Sequence, residues 1–346
     1  MRLGHAFFAL VACAGFAVAA EPATPNASKL PPLPKAVASL GVAECDGYLY
    51  IYGGHYGKSH SYDTESVLGT FHRVKIDGGT NWEELPGGPI AQGLNLVAHG
   101  GKVYRVGGMQ PKNKPGTPSD NFSLADVARF DPKTSKWEDL PALPAPRSSH
   151  DVVVVGDKLV VVGGWQMKGK DDKAGWHETV EILDLTSKSP KWESVPQPFK
   201  RRALTATAVG SKVYVLGGLG ADGKPCEIFD VETKKWTTGP ALPDVAAEGA
   251  TRAMAFSPAA GTVGGRVVVN TAAGGVYRLT TDGKEWEKVG AVVNPRVVAR
   301  LIPVGPAAAL IVGGASRAAA GNVSAIELIQ LAEKGEKVPT PAPKKD

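Results

Sequence analysis

The sequence predicts an all-β protein in which six similar four-stranded sheets stand around a common axis. Residues 148–196 contain four apolar segments rich in β-branched residues, at 152–155, 159–162, 180–185 and 192–195. Short segments of this kind, separated by turns that contain Gly, Asp or Ser, are typical of antiparallel strands. A Gly-Gly pair and a downstream tryptophan then recur about every 50 residues, and this period with four strands per unit indicates a β-propeller.

The repeat extends over most of the chain and defines six units. The glycine pairs are Gly53-Gly54, Gly107-Gly108, Gly163-Gly164, Gly217-Gly218 and Gly313-Gly314. The tryptophans are Trp82, Trp137, Trp192, Trp236 and Trp286. The predicted units are 35–88, 89–145, 146–198, 199–243, 244–293 and 294–331. We expect each tryptophan to fill the space between neighbouring sheets, and each glycine pair to permit close backbone approach near the axis.

A glycine pair after the second strand of a unit, followed by a tryptophan in the fourth, resembles the kelch repeat. The resemblance covers about residues 28–331 and implies a six-bladed kelch-type β-propeller with four antiparallel strands per blade. It also implies that the connections between blades and those between second and third strands share one face, which carries binding. Kelch propellers include binding platforms, cytoskeletal partners and a few enzymes, so the resemblance is specific for the fold rather than for the function.

The sixth unit has only three predicted strands and lacks a terminal tryptophan. An open ring would leave two bare sheet edges, so we expect another segment to complete this blade. Residues 27–33, near the N-terminus, are predicted to supply the fourth strand of the last blade. Residues 336–339, near the C-terminus, are the alternative.

The propeller is predicted over residues 30–331, with three shorter segments around it. Residues 1–20 have the positive start, apolar stretch and small-residue cleavage site of a cleavable signal peptide, so the protein is expected to be exported, either periplasmic or secreted. A lipid-modified Cys13 is the alternative. Residues 21–29 are predicted to be a linker, and 332–346 a disordered tail rich in Pro and Lys.

Charge and cysteine usage exclude several classes of function. The net charge of +5 is spread along the chain without a basic block, which argues against nucleic-acid binding. No apolar segment after the signal peptide reaches the length of a transmembrane helix. Cys45 and Cys226 fall in opposite units, too far apart for a disulfide, so both are expected to be free and buried. We expect a monomer without a cofactor or bound metal.

The loops between second and third strands are long only in the first three units. These loops, at 54–71, 109–125 and 165–178, are polar and carry aromatic residues, which is typical of recognition surfaces. Neutral surface elaboration is the alternative, because added loop length costs little free energy. The candidate ligand-binding residues in the loops are His55, Tyr56, Trp165, Trp176 and His177.

Arginines occupy equivalent positions in the connections between units. Aligning the units on the glycine of the first hairpin superposes Arg147, Arg201 and Arg296, and Arg252 is assigned to the same position in the fifth unit. Four guanidinium groups around a pore mouth would form an anion site, joined by His150. The alternative is structural, with each arginine hydrogen-bonded to carbonyl groups of its own loops. His150 and Asp151 are adjacent on a strand, so their side chains are expected to point to opposite faces.

The leading hypothesis is a binding module that recognises a protein or glycan, with a possibly anionic ligand, through the loop face. The alternative is a mutarotase or epimerase that acts on an acidic sugar such as a sialic acid. The chain is similar to the secreted kelch-type sialic-acid mutarotases in architecture, size and export signal. That family places a functional Glu and Arg in a loop of its fourth unit, where residues 218–224 offer only Asp222 and Lys224. The catalytic residues of such an enzyme are therefore left unassigned.

Overall fold

The computed structural model of the protein describes residues 30–220, 226–243, 255–316 and 321–332. Six antiparallel sheets stand around one axis, which confirms the predicted six-bladed β-propeller. The predicted signal peptide, the linker and Cys13 lie outside the described residues, as does the C-terminal tail from residue 333. Within the described ranges, no helix is long and apolar enough to cross a membrane.

The first three blades carry the long loops between second and third strands. Blade one consists of β1 (Gly41–Cys45), β2 (Tyr48–Tyr52), β3 (Phe71–Lys75) and β4 (Glu83–Leu85). Blade two and its loop hairpin consist of β5 (Asn95–His99), β6 (Lys102–Val106), β7 (Met109–Pro111), β8 (Asn121–Ser123), β9 (Val127–Asp131) and β10 (Lys136–Asp139). Blade three and its loop hairpin consist of β11 (Asp151–Val155), β12 (Lys158–Val162), β13 (Trp165–Gln166), β14 (Gly175–Trp176), β15 (Thr179–Asp184) and β16 (Trp192–Pro196).

The other three blades have shorter connections. Blade four consists of β17 (Thr205–Val209), β18 (Lys212–Leu216), β19 (Cys226–Asp230) and β20 (Lys235–Thr238). Blade five consists of β21 (Ala259–Val263), β22 (Arg266–Asn270), β23 (Gly275–Leu279) and β24 (Trp286–Ala291). Blade six and its loop hairpin consist of β25 (Arg300–Pro303), β26 (Ala308–Val312), β27 (Ala315–Ser316), β28 (Gly321–Asn322) and β29 (Glu327–Gln330). The first strands of neighbouring blades contact one another in a closed circle, so they are the innermost strands.

A closed ring of backbone hydrogen bonds surrounds the axis where the interblade connections enter the first strands. Each blade supplies one residue of this axial ring: Ser39, Gly93, Ser149, Ala203, Ser257 and Val298. Every ring N–H donates to the ring carbonyl of the preceding blade, over 2.7–3.4 Å, and Ser39 completes the circle by donating to Val298 at 3.0 Å. All six residues have a positive φ, between 44° and 61°. This uncommon left-handed conformation turns each connection so that both backbone groups point around the circle.

The glycine pairs hold adjacent blades together, as the sequence predicted. The second glycine N–H donates to a carbonyl of the next blade, for example Gly108 to Arg147 at 2.9 Å and Gly164 to Arg201 at 2.7 Å. A Cβ atom at Gly107 would lie only 2.5 Å from the Arg147 carbonyl oxygen. Because no Cβ fits at that distance, glycine is required there.

Each blade tryptophan is a structural side chain that bridges two blades. The indole N–H donates to a proline carbonyl of the preceding blade, from Trp137 to Pro86 at 2.7 Å and from Trp192 to Pro141 at 2.8 Å. Trp236 and Trp286 repeat this contact. The predicted role of these residues between sheets is therefore confirmed.

The N-terminal segment occupies the remaining proline position, next to blade six. Trp82 of blade one donates to the Pro32 carbonyl at 2.8 Å, and the Leu33 N–H donates to Ser324 at 2.8 Å. The second contact matches the hydrogen bond from Leu143 to Ala125 in blade two. Among the described residues the sixth sheet has three strands, and residues 30–33 follow the fourth-strand position instead of forming a strand. Residues 27–29, where the remainder of the predicted strand falls, lie outside the described residues.

An ion pair crosses the axis beneath the ring. Arg300 of blade six donates to the Asp151 carboxylate of blade three at 3.0 Å, and also to the carbonyls of Leu40 and Leu94. The same carboxylate accepts hydrogen bonds from Asn95 and from the Ala206 N–H. As predicted, Asp151 does not bond to the neighbouring His150. The buried network joins five of the six blades at the centre.

Both described cysteines are free and buried, as predicted. Cys45 ends β1 and Cys226 begins β19. Burial raises the pKa of Cys45 to about 11 and that of Cys226 to about 12, so both are thiols at neutral pH. The propeller is therefore stabilised by packing and hydrogen bonds in the described region, without a disulfide between these residues.

Replacing Asp151 with Ala would leave the Arg300 guanidinium without its counter-charge in the centre of the propeller. We expect Asp151→Ala to lower the free energy of unfolding by about 3–5 kcal/mol, the usual cost of breaking a buried pair from one side. Urea unfolding measures the change. The double variant Asp151→Ala with Arg300→Met should recover part of it, and Glu83→Ala, which breaks an exposed pair with Arg73, should cost at most about 1 kcal/mol. Equal stability of Asp151→Ala and the wild type would contradict the proposed role.

Candidate functional site

The long loops of blades one to three form one connected structure, which we call the loop wall. The blade-one and blade-two loops are joined by hydrogen bonds from Thr64 to Asn113 at 3.0 Å and from Asn113 to Tyr62 at 2.8 Å. The blade-two and blade-three hairpins are joined through Ser123 and Met167, which bond in both directions at 2.9 Å. The wall is therefore an ordered surface along one side of the axis.

Two tryptophans at the end of the loop wall form an aromatic platform. Trp165 and Trp176 pair across the short hairpin of β13 and β14, with ring centroids 6.0 Å apart. Trp176 is 40% exposed, which is unusual for so large a side chain. The Arg202 guanidinium lies 4.1 Å from the centre of the Trp165 ring. The platform thus places a flat apolar surface directly beside a cation.

The axial ring forms a closed floor next to the loop wall. A small cavity of about 40 Å³ is lined by the ring residues together with His150, Leu204, Pro258, Ala299 and Arg300. This volume holds only a few water molecules, whereas pockets for organic ligands are typically several hundred Å³. The cavity is therefore too small for an organic ligand.

The arginines at equivalent positions are buried inside their own blades rather than presented to a pore. Arg147 donates to the Gly163 carbonyl at 3.0 Å and to Glu181 at 3.1 Å, and its side chain is 1% exposed. Arg201 donates to the Gly217 carbonyl and pairs with Glu227; Arg296 donates to the Gly313 carbonyl and pairs with Glu327. Their charges are thus neutralised internally, which is the arrangement of the structural alternative. The expectation of an open anion site formed by Arg147, Arg201 and Arg296 does not fit this geometry.

Two details of the register support a structural role for the arginines. Blades one and two have Val37 and Ala91 at the arginine position, and their third strands have His72 and Ala128 where the glutamates stand. Blades one and two thus lack both the arginine and the glutamate that would pair with it. In blade five the position belongs to Ala255, whose carbonyl accepts from Gly218 as the Arg147 carbonyl accepts from Gly108. Arg252 therefore does not occupy the equivalent position, and it lies outside the described residues.

The predicted residues His55 and His150 are turned inward. His150 is 2% exposed, and its ring lies in the interior against Gly107. Burial, together with the charges of Arg147 and Arg300, lowers its pKa well below the usual value, so His150 is neutral. His55 is also buried, and it bonds through Nε2 to the Ser61 carbonyl at 2.9 Å. These two histidines were predicted to contact a ligand, but both are buried and do not reach the surface.

Two further predicted residues lie nearer the surface of the loop face. His177 is half-buried and bonds through Nε2 to the Pro146 carbonyl at 3.0 Å. The Tyr56 ring lies 3.4 Å from the Lys35 ammonium group. Of the residues predicted from the sequence, Trp165 and Trp176 pair near the surface. Arg147, His150 and His177 lie close enough inside the propeller for their charges to interact. Arg202, which the prediction left out of the site, lies against Trp165.

Comparison with known proteins identifies the repeat. Kelch motif models match residues 92–144, 146–198 and 200–243. The chain is a six-bladed β-propeller that contains kelch motifs. A solved structure entitled "Structure of YjhT" superposes on this kelch propeller with a TM-score of 0.69 and 17% sequence identity, covering 89% of this chain and 98% of that one. At this identity the likeness shows the fold alone.

Curated relatives of the kelch propeller are longer proteins. The Kelch-like protein terF of Aspergillus terreus is 25% identical over 59% of this chain and 45% of its own length. The Kelch-like protein 40 of Xenopus tropicalis is 26% identical over 60% of this chain and 32% of its own length. The chain therefore spans less than half the length of these relatives.

The arginine–glutamate pairs give a prediction about stability. Arg147→Met would leave the Glu181 carboxylate buried without a counter-charge, so we expect a loss of about 3–5 kcal/mol in the free energy of unfolding. The double variant Arg147→Met with Glu181→Leu should recover most of the loss, because blade two has apolar residues at both positions. Thermal and urea unfolding measure both variants. A stable single variant with impaired ligand binding would instead favour the anion site.

His177 gives a prediction about pH. Burial and the Arg147 charge lower its pKa from 6.5 to about 4, so the unfolded chain binds a proton that the folded protein does not bind between these values. Stability should therefore fall as the pH drops from about 6.5 to 4, with a His177 contribution of about 1–3 kcal/mol. His177→Gln keeps a donor for the Pro146 carbonyl and should show a flatter profile. Urea unfolding at several pH values measures the difference, and parallel profiles would contradict this assignment.

Proposed function

We propose that this kelch propeller is an exported binding module that recognises a protein or glycan through its loop face. The observation that carries the proposal is the exposed Trp176 beside Trp165 and Arg202, at the end of the ordered loop wall. Exposed tryptophans and arginines are the most frequent anchors of binding sites. The closed axial ring supports a surface site, because it leaves little room for a ligand along the axis.

Export is proposed from the character of residues 1–20, which have the positive start, apolar stretch and small-residue cleavage site of a signal peptide. Expression of the full chain followed by cell fractionation tests this part. Removal of residues 1–20 should retain the protein in the cytoplasm, and an unchanged distribution would refute export.

An enzyme that acts on an acidic sugar is the second candidate. It is supported by Arg202, a cation on the loop face suited to a carboxylate, together with the resemblance to secreted mutarotases. Nuclear magnetic resonance of N-acetylneuraminate would show faster exchange between its anomers in the presence of the protein. An unchanged exchange rate would refute this candidate and leave the binding module.

Trp176 provides the test of the binding face. A screen of the protein on glycan and protein arrays should identify ligands, and Trp176→Ala should weaken their binding at least about tenfold because a central aromatic anchor is removed. Lys188→Ala is the matched control, since Lys188 is exposed in the turn between the third and fourth strands, on the opposite face. If Trp176→Ala binds every ligand as the wild type does, the platform is not the binding face.

A further inference from the structure

A cavity lies on the axis of the propeller, between the axial ring and the ion pair beneath it. It is lined by all six ring residues, by residues that directly follow them in the chain, and by Arg300. Its volume is about 40 Å³, and a single water molecule needs roughly 10–15 Å³. The cavity therefore has room for one halide-sized ion together with a water molecule. The proposed binding face does not depend on it, because Trp165 and Trp176 are not among its lining residues.

Three serine hydroxyls surround the axis at the level of the ring. Ser39, Ser149 and Ser257 belong to blades one, three and five, so they occupy every second position of the ring and stand at the corners of a triangle. The backbone groups of the ring bond to one another around the circle. The hydroxyls are therefore the polar groups that the ring can offer to a ligand, and each of them can donate a hydrogen bond.

Arg300 gives the cavity a positive wall. Its side chain is 15% exposed and lines the cavity, whereas the side chain of its partner Asp151 is 1% exposed. The ion pair thus presents its positive end to the cavity. A guanidinium can donate more hydrogen bonds than the three that Arg300 makes to Asp151, Leu40 and Leu94. It can therefore also donate to a ligand.

The Asp151 carboxylate does not depend on Arg300 alone for its hydrogen bonds. It also accepts from Asn95, from Thr205 and from the N–H groups of Val152 and Ala206. These donors stabilise the negative charge independently of the guanidinium. An anion that shares Arg300 would therefore not leave Asp151 unsatisfied.

The charges around the cavity favour an anion over a cation. His150 lines the cavity, and burial, together with the positive charges of Arg147 and Arg300, lowers its pKa well below the usual value. A positive charge disfavours a second one nearby. The same charges that keep His150 neutral therefore attract a negative ion to the space beside it.

The size and the donors of the cavity indicate the class of anion. One guanidinium matches one negative charge, and a divalent anion would lose far more hydration free energy on entering. Hydroxyls at the corners of a triangle can surround a spherical halide or the three oxygen atoms of nitrate. The ring positions between the serines are Gly93, Ala203 and Val298, which add apolar surface rather than further donors.

We propose that the axial cavity binds a small monovalent inorganic anion such as chloride, held by the hydroxyls of Ser39, Ser149 and Ser257 and by the Arg300 guanidinium. These groups come from blades one, three, five and six, so the complete site forms only when the ring is closed. The anion should therefore stabilise the folded propeller by mass action, since it binds the folded chain and not the unfolded one.

The direct test uses crystals of the protein soaked in sodium bromide, because bromide replaces chloride and is located by its anomalous X-ray scattering. We expect a bromide peak on the axis, within hydrogen-bond distance of the three hydroxyls and the guanidinium. A map without a peak at that position would overturn the proposal.

Urea unfolding measures the same site in solution. Sodium chloride is compared with sodium gluconate at equal ionic strength, because the gluconate anion is too large for the cavity. We expect the folding equilibrium constant of the wild type to rise with chloride concentration as it does for a single binding site, and bromide and nitrate to act in the same way. An equal equilibrium constant in both salts would contradict the site.

Serine variants identify the residues that hold the anion. Alanine fits the ring, since Ala203 has the same left-handed conformation. Ser149→Ala should therefore fold, and it should weaken chloride binding about threefold to tenfold through the loss of one hydrogen bond. The double variant Ser149→Ala with Ser257→Ala should weaken it further. A double variant that folds and keeps the wild-type response to chloride would overturn the proposal.

Ser135→Ala is the matched control. Ser135 is exposed in the turn between β9 and β10, and it is also left-handed, with a φ of 55°. Its response to chloride should equal that of the wild type, and unfolding in gluconate reports the stability of each variant without the anion. The array screen for loop-face ligands involves none of these serines, so the failure of either proposal leaves the other standing.

Discussion

The closed circle of six backbone hydrogen bonds at the axis is the constraint on which the rest of the propeller depends. A left-handed residue other than glycine costs roughly 1 kcal/mol, and Gly93 is the only glycine of the ring. The other five ring residues adopt this unfavourable conformation, because a single residue in another conformation would break the circle of hydrogen bonds. Val298, the only β-branched member, donates the longest of the six bonds, 3.4 Å to Ser257. The longest hydrogen bond of the ring is thus donated by the residue whose side chain is least compatible with a left-handed backbone conformation.

The circle also closes the centre of the propeller. The axial ring and the Arg300–Asp151 ion pair fill the centre, so the axis of the propeller is a packed core. The glycine pairs and the buried arginines then hold the two ends of each loop in place. The middle of each loop is not held by these contacts, so its length and sequence can differ between blades. Blades one to three use this freedom to build the loop wall, whereas blades four to six have short connections. The asymmetry of the loops on a nearly symmetrical scaffold is what distinguishes one side of the loop face from the other.

The sequence predicted those features of the fold that repeat. Glycine pairs, tryptophans and the register of Arg147, Arg201 and Arg296 recur with the period of the blades, so each copy supports the interpretation of the others. The proline carbonyls that accept from the tryptophans also show why the N-terminal segment fits beside blade six. The partners of the arginines were missed because the glutamates lie on the third strand, about 30 residues away. The joint absence of arginine and glutamate in blades one and two was a signal that could have revealed the pairs.

The candidate site was harder to predict because it does not repeat. Arg202 stands one residue after a structural arginine, and the sequence contains no sign that the first pairs with a glutamate, whereas no acidic partner of the second is found in the part of the chain that the structure describes. The distinction arises from the backbone. Arg201 points into its blade towards Glu227, whereas Arg202 pairs with Leu219 and directs its side chain towards Trp165, just before the chain turns at Ala203. Two adjacent arginines thereby have different surroundings, since the first pairs with a glutamate of its own blade and the second stacks on a tryptophan of the neighbouring loop.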